Sequence, residues 1–337
     1  MKAIKNFLLG VIILFTTISF YPATAQTISK HVIFDHDGGV DDLLSLLLLT
    51  QMENVELEGV VVTPADCFLE DATISSLKLL KMTGLTNVSV AKSQARAVNP
   101  FPTEWRAQPM VLNAFPDMLT IQGNNQQLST LPAYEFIASK LRSANEQLTF
   151  LITGPCSNLA KTLGTYPELK SKVGEVIWMG GAVDVPGNVR THKHNGTAEW
   201  NAYWDPQAAA ELFKMGLDIK LIALDVTNSV PVSMNFLRQL AAQKQFPLSN
   251  LASQFWATTI NTIPSYEYTY FMWDVLSTTY LGIPQTFTSE RAELAVRTEL
   301  PAEGQTIRAA GNENWVHIVK TVDREAFYGY VLGLLRR

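Results

Sequence analysis

Short apolar segments alternate with helical segments over the first two thirds of the chain, and this alternation constrains the fold more than any other feature. The apolar segments are nearly continuous in Val, Ile, Leu and Phe, which is typical of strands buried on both faces of a parallel sheet. The predicted strands are residues 32–35, 57–63, 88–91, 148–153, 173–179 and 219–224. The predicted helices are residues 41–52, 69–83, 132–144, 156–166 and 206–215. The pattern therefore predicts an α/β fold whose sheet is covered by helices on both faces.

The C-terminal third has a different character. Residues 251–281 are predicted as helices, residues 291–320 as β-structure with turns at 302–304 and 311–312, and residues 324–335 as a closing helix. No internal repeat and no Ser/Gly-rich linker divides the chain. We therefore predict a single domain with a mainly parallel, Rossmann-like central sheet flanked by helices, plus a helical and small β C-terminal part.

The first predicted strand leads into a cluster of acids, Asp35-His36-Asp37-Gly38-Gly39-Val40-Asp41-Asp42. The two glycines allow a tight turn. Asp41 and Asp42 then fall at the start of a helix, where the dipole and free N–H groups favour negative charge. So many carboxylates in one corner repel each other unless a cation joins them, and all-oxygen ligation indicates Ca²⁺ or Mg²⁺. This corner is the predicted active site, in preference to a solvated helix cap.

Residues 1–25 have the pattern of a secretory signal: two early lysines, an apolar core at 7–18 and Ala-Thr-Ala at 23–25. Cleavage after Ala25 leaves residues 26–337 as the mature domain. The apolar core is too short to span a bilayer comfortably, and no later segment reaches that length. We therefore expect a periplasmic or secreted protein without membrane association after signal removal.

Composition excludes several classes of partner and framework. A net charge of −5 and the lack of a basic cluster argue against binding to nucleic acid or anionic membranes. An apolar content of 47% is ample for a large core. Cys67 and Cys156 are too few for a disulfide framework. Two buried thiols are favoured over a pair, and neither cysteine has a histidine beside it to make it a nucleophile.

Further polar motifs fall where predicted strands end, which is where parallel sheets bind ligands. The complete set of motifs resembles the nucleoside hydrolase family of the inosine–uridine-preferring type. The resemblance runs from Val32 to the C-terminus. It rests on Asp35-x-Asp37-x-Gly39-x-Asp41-Asp42, Thr153-Gly154-Pro155-Cys156-Ser157-Asn158-Leu159-Ala160, Met179-Gly180-Gly181, Gly187-Asn188 with Glu199-Trp200-Asn201 and Asp205-Pro206, and Trp273-Asp274.

The resemblance implies a Ca²⁺-dependent hydrolase that cleaves the N-glycosidic bond of ribonucleosides into base and ribose, feeding purine or pyrimidine salvage. The implied calcium ligands are Asp37, Asp42, Asp274 and the main-chain carbonyl of Thr153. Asp37 is also the implied catalytic base, which activates a metal-bound water. The implied ribose-binding residues are Asp41, Asn188, Glu199 and Asn201, with Met179 packing in the pocket. Nearby carboxylates suit an oxocarbenium-like transition state.

Two positions depart from the family pattern. The family usually has Asn where this chain has Asp66, which we place among the substrate-binding residues as either an added ligand or a group that orients the water. The usual leaving-group acid is a His at the position of Trp273, which cannot donate a useful proton but can stack on the base. Other candidates for the proton donor are His192, His194, Tyr266, Tyr268 and Tyr270, and the sequence does not choose among them.

Residues 101–106 also depart from the family pattern, and they lie in a long, Pro-interrupted stretch, residues 98–119, that is a candidate lid. Trp105 could stack on a base and Arg106 could bind an anionic group. Alternatively, Phe101 and Trp105 anchor the stretch and Arg106 is a surface partner. Asp225 is likewise open between orienting a site residue and capping a helix.

The expected partner of the hydrolase is a small nucleoside, and a homo-oligomer is possible. Two other functions compete with this interpretation. A non-catalytic ribose- or nucleoside-binding protein fits the scaffold, but it would not need the base Asp37. A phosphatase of the haloacid dehalogenase type fits Asp35-His36-Asp37. That class expects Thr or Val at the position of Gly39 and a later Lys before an acidic pair, and neither is evident.

Overall fold

The computed structural model describes residues 29–191, 193–261 and 269–337. Within these ranges one nine-stranded sheet has the strand order β3-β2-β1-β4-β5-β6-β9-β7-β8. The strands are β1 (Lys30–His36), β2 (Val55–Val62), β3 (Val90–Lys92), β4 (Leu148–Ile152), β5 (Val173–Met179), β6 (Asp218–Ile222), β7 (Phe287–Val296), β8 (Thr306–Arg308) and β9 (Trp315–Val322). All six predicted strands are present, with ends shifted by at most two residues.

Helices cover both faces of this sheet. They are α1 (Val40–Leu49), α2 (Leu69–Met82), α3 (Gln108–Asn113), α4 (Pro116–Leu119), α5 (Ala133–Ser143), α6 (Ser157–Thr165), α7 (Trp200–Trp204), α8 (Pro206–Lys214), α9 (Leu224–Thr227), α10 (Met234–Ala242), α11 (Pro247–Asn261), α12 (Trp273–Tyr280) and α13 (Arg324–Leu334). Short 3₁₀ turns lie at Thr103–Trp105, Asn125–Gln127, Pro167–Lys172 and Pro284–Thr286. The predicted α/β fold, with helices flanking a mainly parallel sheet, is confirmed.

Alternate side chains of β1 show how the two faces are buried. Val32 and Phe34 pack with the leucines of α1 and with α2, α11, α12 and α13, whereas Ile33 packs with α5, α6 and α8 on the other face. Strands covered on both faces expose no polar side, which explains their nearly continuous apolar sequence. All ten residues of α1 are buried, so the leucines on every side of this helix contribute to the hydrophobic core.

The C-terminal strands belong to the main sheet and do not form a separate small β part. β9 pairs in parallel with β6, and β7 pairs antiparallel with both β9 and β8. Leu294 and Ile318 are buried in the same core as β4 and β5. The predicted turns contain Gly304 and Gly311, both with positive φ. The chain thus continues one sheet to its end, with an antiparallel edge.

The candidate lid at residues 98–119 is partly helical, since it contains α3 and α4. A proline lies in the first turn of each helix, where its missing N–H costs no hydrogen bond. Cys67 and Cys156 are both buried free thiols. Within the described residues no helix is long and apolar enough to cross a bilayer. The predicted signal, residues 1–25, lies outside the described residues and stays a prediction.

Candidate active site

The strand order reverses between β1 and β4, because the chain first builds the sheet toward β3 and then crosses to β4 on the other side of β1. A cleft opens beyond the carboxyl ends of the strands at such a reversal. Asp37 directly follows β1 and Thr153 directly follows β4, and both are buried. The topology therefore brings the first and second sequence motifs to one cleft.

Asp37 is held by the loop that follows β2. Its Oδ2 accepts a hydrogen bond from the main-chain N–H of Asp66 at 3.1 Å, and its main-chain oxygen accepts one from the N–H of Cys67 at 3.0 Å. Burial, reinforced by the charge of Asp42, raises the pKa of the Asp37 carboxyl well above its ordinary value. This carboxyl is therefore a stronger base than a solvated aspartate.

Asp42 links the first turn of α1 to the end of β4. Its Oδ2 accepts from the Gly39 N–H at 2.8 Å, and its Oδ1 accepts from the Thr153 hydroxyl at 2.5 Å. The main-chain oxygen of Thr153 accepts a hydrogen bond from Asn201 Nδ2 at 2.8 Å. Asp42 and Thr153 thus fix each other across the point of strand reversal.

Asp41 connects α1 to the start of α12. Its Oδ1 accepts from the Tyr270 hydroxyl at 2.7 Å and its Oδ2 from the Asp274 N–H at 3.1 Å. Burial raises the pKa of Asp41 to about 6, and the charge of Asp42 contributes to the shift. For Asp274, burial and then the charges of Asp41, Asp42 and Asp37 raise the pKa well above its ordinary value. Asp274 therefore lies next to Asp41 in this cluster.

Asp66 completes a tight group of carboxylates. A point at the ideal Cβ position of Gly39 lies 2.8 Å from an Asp66 oxygen, 3.2 Å from one of Asp42 and 3.6 Å from one of Asp41. Oδ1 of Asp66 is buried without a hydrogen-bond partner among the described residues. Burial and the charges of Asp42 and Asp41 raise the pKa of Asp66, while the charge of Arg106 lowers it.

The donor set fits a hard divalent cation. Five carboxylates are linked by the contacts just described, and the Thr153 main-chain carbonyl belongs to the same turn as the hydroxyl that bonds to Asp42: these residues are Asp37, Asp41, Asp42, Asp66, Asp274 and Thr153. In the described part of the chain none of the five carboxylates forms an ion pair with a lysine, arginine or histidine. Buried charges of one sign are costly unless a counter-charge joins them. Oxygen-only ligands select Ca²⁺ or Mg²⁺ over softer metals.

The predicted ribose-binding residues line the neighbouring end of β5. Asn201 Nδ2 donates to the main-chain oxygens of Thr153 and Met179, the second at 3.2 Å. Glu199 caps α7 and accepts from the N–H groups of Gly181, Asn201 and Ala202. Burial raises the pKa of Glu199 to about 7, and these N–H groups oppose that shift.

Asn188 lies one step further from the acids. Its Oδ1 accepts from the Trp200 N–H at 3.2 Å. The loop that carries Asn188 is tied to the segment just before α7, because the N–H groups of Asn188 and Val189 both donate to the Ala198 main-chain oxygen. Asn188 therefore lies beside Glu199 and Asn201 through backbone contacts.

Comparison with known proteins agrees with this arrangement. The sequence profile described as inosine-uridine preferring nucleoside hydrolase matches residues 32–329. The chain belongs to this family. The solved structure of the inosine-uridine preferring nucleoside hydrolase from Bacillus anthracis is 35% identical with a TM-score of 0.84, covering 91% of this chain and 99% of that chain. The predicted family and enzyme class, a nucleoside N-ribohydrolase, are confirmed.

Two curated relatives extend the comparison over most of the chain. Uridine nucleosidase 1 of Arabidopsis thaliana is 25% identical over 333 residues, which is 94% of this chain and 96% of the relative. The non-specific ribonucleoside hydrolase RihC of Salmonella paratyphi A is 27% identical over 277 residues, 81% of this chain and 86% of the relative. The relatives' names differ in substrate, so membership of the nucleoside hydrolase family leaves the base preference open.

In this nucleoside hydrolase Trp273 lies at the first position of α12, beside Asp274. It packs against Met179, Ala182 and Leu224, and its ring centroid is 4.7 Å from that of Tyr270. The indole Nε1 is buried without a hydrogen-bond partner among the described residues. The predicted base-stacking residue therefore forms an apolar wall next to the acids.

The structure distinguishes among the candidates for the leaving-group acid. His192, Tyr266 and Tyr268 lie outside the described residues. His194 bonds through Nε2 to the Glu303 main-chain oxygen at 2.9 Å, so it is engaged with the C-terminal turn. The Tyr270 hydroxyl donates to Asp41. Of the described candidates, Tyr270 is the one in contact with the acidic cluster.

The aromatic and basic residues of the candidate lid act as anchors. Trp105 packs edge-on against Phe101 and Trp200, with ring centroids 6.1 and 5.3 Å away. Arg106 donates to the main-chain oxygens of Pro64 and Cys67 and stacks on a neighbouring phenylalanine. These contacts fasten the stretch to the loop that carries Asp66, which favours the anchoring interpretation.

Sequence reasoning left two supporting features unassigned. Asp225 accepts from the N–H groups of Val183 and Asp184 and pairs with Lys320, so it orients the loop after β5 and does not cap its own helix. Asp35 lies beneath the cluster and bonds to Asn158 and a neighbouring threonine; burial raises its pKa to about 7, against those hydrogen bonds. Their positions at or near the ends of predicted strands were the sequence signal that could have identified them.

A second set of possible metal ligands lies at the opposite end of the sheet. Ligand atoms of His31, Glu56 and Glu58 lie within 4.8 Å of one another. His31 already bonds to Glu58 at 2.8 Å, and this bond raises the pKa of the imidazole, which favours an ion pair over metal ligation. Lys140 lies 3.7 Å from Glu58 and adds a positive charge. The aspartate cluster is therefore the better cation site.

Proposed function

We propose that this protein hydrolyses the N-glycosidic bond of ribonucleosides to free base and ribose, with Asp37 as the general base and Ca²⁺ as the cofactor. The observation that carries the proposal is that five carboxylates, four of them buried, come together beyond the carboxyl ends of β1 and β4. Asp37, Asp42, Asp274 and the Thr153 carbonyl would hold the cation. When bound, the cation supplies a Lewis acid that lowers the pKa of water and anchors the ribose diol.

Asp37 is suited to take a proton from water. Burial disfavours the charged form of its carboxyl and raises its pKa, which makes the carboxylate a better proton acceptor than a solvated aspartate. The Asp66 N–H fixes one oxygen of the carboxylate, so the other is oriented for the incoming water. The surrounding negative charge stabilises the positive charge that develops on the sugar as the bond to the base breaks.

The remaining residues position the substrate. Asn188, Glu199 and Asn201, which are linked through main-chain hydrogen bonds, would hold the ribose hydroxyls together with Asp41 of the acidic cluster. Such fixed contacts reduce the entropy cost of reaching the attack geometry. Trp273 can stack on the leaving base, which supports departure without a strong proton donor at that position. Asp66 would orient the water or add a ligand to the cation.

Family membership favours this hydrolase over the phosphatase and the non-catalytic binding protein. The relatives act, by their names, on uridine, on inosine and uridine, or on ribonucleosides without strong preference. We propose a nucleoside substrate for this chain as well. We further propose export to the periplasm or beyond, on the signal pattern of residues 1–25.

The test is release of reducing sugar from inosine, adenosine, guanosine, uridine and cytidine by the purified mature protein, with Ca²⁺ or with a chelator. Release that the chelator abolishes and Ca²⁺ restores is the expected result. Asp37→Ala should abolish turnover while Ca²⁺ binding, followed by calorimetry, is only weakened.

The matched control is Asp218→Asn, which removes an exposed carboxylate at the amino end of β6. It should leave turnover unchanged. Full turnover in Asp37→Ala would contradict the assignment of the base. Lack of release from every nucleoside by a well-folded, Ca²⁺-loaded protein would contradict the proposed reaction.

A further inference from the structure

A buried hydrogen-bond network underlies the acidic cluster without touching the cleft. It joins Asp35, Thr63, Ser93 and Asn158, each less than 4% exposed. Asn158 Nδ2 lies 3.0 Å from Asp35 Oδ2 and 2.8 Å from the Thr63 hydroxyl oxygen. The Thr63 hydroxyl donates to Asp35 Oδ1 at 2.9 Å, and the Ser93 hydroxyl donates to Asn158 Oδ1 at 2.7 Å.

The hydrogen bonds of this network all run in one direction. The Ser93 hydroxyl donates to the amide oxygen of Asn158, and the amide nitrogen donates onward to Thr63 and Asp35. The Thr63 hydroxyl also donates to Asp35. Because every donor points toward Asp35, its carboxylate is the acceptor on which the whole chain depends.

The network spans four neighbouring elements at their carboxyl ends. Asp35 lies in β1, Thr63 and Ser93 directly follow β2 and β3, and Asn158 lies in the first turn of α6. Two of these elements, β1 and α6, also border the proposed cation site, because Asp37 follows β1 and the turn that contains Thr153 precedes α6. Asp35 also accepts the Thr153 N–H on its main-chain oxygen at 2.9 Å.

We propose that Asp35 and Asn158 are positioning residues whose paired side chains fix Asp37 and the Thr153 carbonyl relative to each other. The inference rests on the proposed function, since it assigns these two groups to the cation site. Neither Asp35 nor Asn158 contacts the cleft, so their effect passes through the ends of β1 and α6. Partners of this kind typically change metal affinity or activity about 10- to 100-fold when removed.

The first variant is Asp35→Asn, which keeps the shape of the side chain. In either orientation the new amide nitrogen faces the donor group of Asn158, because Asn158 Nδ2 lies 3.2 and 3.0 Å from the two Asp35 oxygens. We expect the Ca²⁺ dissociation constant, measured by calorimetry, to rise about 10-fold or more, with a parallel fall in kcat/KM.

The double variant Asp35→Asn/Asn158→Asp exchanges acceptor and donor across the same contact. Every donor of the chain again has an acceptor, since Ser93 can donate to the new carboxylate and the new amide can do the same. Positioning predicts that the double variant recovers most of the lost Ca²⁺ affinity. If it binds Ca²⁺ no better than Asp35→Asn, the charge of Asp35 and not its pairing matters, and the proposal is wrong.

Ser157→Ala is the matched control, because it removes a partly buried hydrogen bond to Asp205 on the same turn of α6 without touching β1. It should lower the melting temperature and leave Ca²⁺ affinity unchanged. If Asp35→Asn behaves in the same way, the network is merely structural. Should Asp35→Asn fail to fold, Ser93→Ala tests the far end of the chain, with a smaller rise in the dissociation constant expected and none if the proposal is wrong.

The outcomes also separate this inference from the proposed function. Wild-type protein that binds Ca²⁺ but cleaves no nucleoside would overturn the reaction, while the affinities of the variants would still decide the positioning role. Wild-type protein that binds no Ca²⁺ would overturn both.

Discussion

Replacing Gly154 with alanine should disturb Asp37 and little else. Gly154 follows Thr153 in the turn between β4 and α6, and its φ is not positive, so alanine suits the backbone. A Cβ at this position would lie 3.0 Å from the Cβ of Asp37 and 3.1 Å from its Cγ. Non-bonded carbons prefer about 3.5–4.0 Å. The Asp37 carboxyl must therefore move by about 0.5 Å.

The size of the effect follows from this displacement. A misplacement of about 1 Å can cost about 100-fold in rate. Half that displacement should lower kcat/KM about 10-fold, which corresponds to about 1.4 kcal/mol in the activation free energy. Overpacking of a buried site also lowers the free energy of unfolding, here by about 1–3 kcal/mol. Ca²⁺ affinity should fall as well, because Asp37 is a proposed ligand.

Gly164→Ala provides the matched control, since Gly164 lies in α6 and has no atom within 4 Å of its added Cβ. That variant should gain about 0.5–1 kcal/mol in unfolding free energy, because glycine is the more flexible helix residue, and should keep wild-type kcat/KM. Nucleoside hydrolysis and urea unfolding, measured side by side on both variants, make the comparison. If folded Gly154→Ala has the kcat/KM of the control, the position of Asp37 does not govern the reaction.

Three further predictions follow from the site. Trp273→Ala should lower kcat/KM for purine nucleosides by about 10-fold or more, because it removes a stacking energy of about 1–3 kcal/mol. It should affect aryl ribosides with good leaving groups less, and equal losses on both substrates would exclude stacking. Ca²⁺ at about 100 times its dissociation constant should add about 2.7 kcal/mol to the unfolding free energy, and Asp274→Ala should abolish that gain in thermal unfolding. His36 is buried, which lowers its pKa to about 4 from 6.5. Its protonation therefore favours unfolding. Between pH 7.5 and pH 5 the wild type should lose about 2 kcal/mol of unfolding free energy relative to His36→Gln, measured in urea, because the raised pKa values of Asp35, Asp41 and Glu199 act alike in both proteins.

The elements around the cleft could be predicted because their signals are local. The strand before Asp37 is apolar on both faces, two glycines mark the turn, and the leucines of α1 follow at once. Each signal depends on neighbours in sequence, and together they place Asp41 and Asp42 in a first helical turn, where the structure has them. The extension of the sheet by β9 could not be predicted in this way, because its pairing with β6 depends on residues about a hundred positions apart.

The contacts within the site likewise divide into local ones, which the sequence predicts, and long-range ones, which it does not. The sequence predicts that Asp37, Asp42 and Asp274 belong together only through the family resemblance, since nothing local joins α1 to α12. The structure supplies the link, a hydrogen bond from Tyr270 to Asp41 across 229 positions of sequence. The orientation of Arg106 toward main-chain oxygens is another contact of this kind, and it changes the interpretation of that residue from ligand binding to anchoring.

Asp66 shows why one position can be recognised as unusual and still not be explained by sequence. Its main-chain N–H holds Asp37, and any residue other than proline could supply that hydrogen bond. Its side chain adds a carboxylate beside Asp41 and Asp42, with one oxygen left unpaired. A comparison of residue types cannot detect the hydrogen bond that the main-chain N–H donates to Asp37. The added carboxylate, by contrast, is specific to aspartate. The departure from Asn therefore changes the charge of the cluster without changing how Asp37 is held.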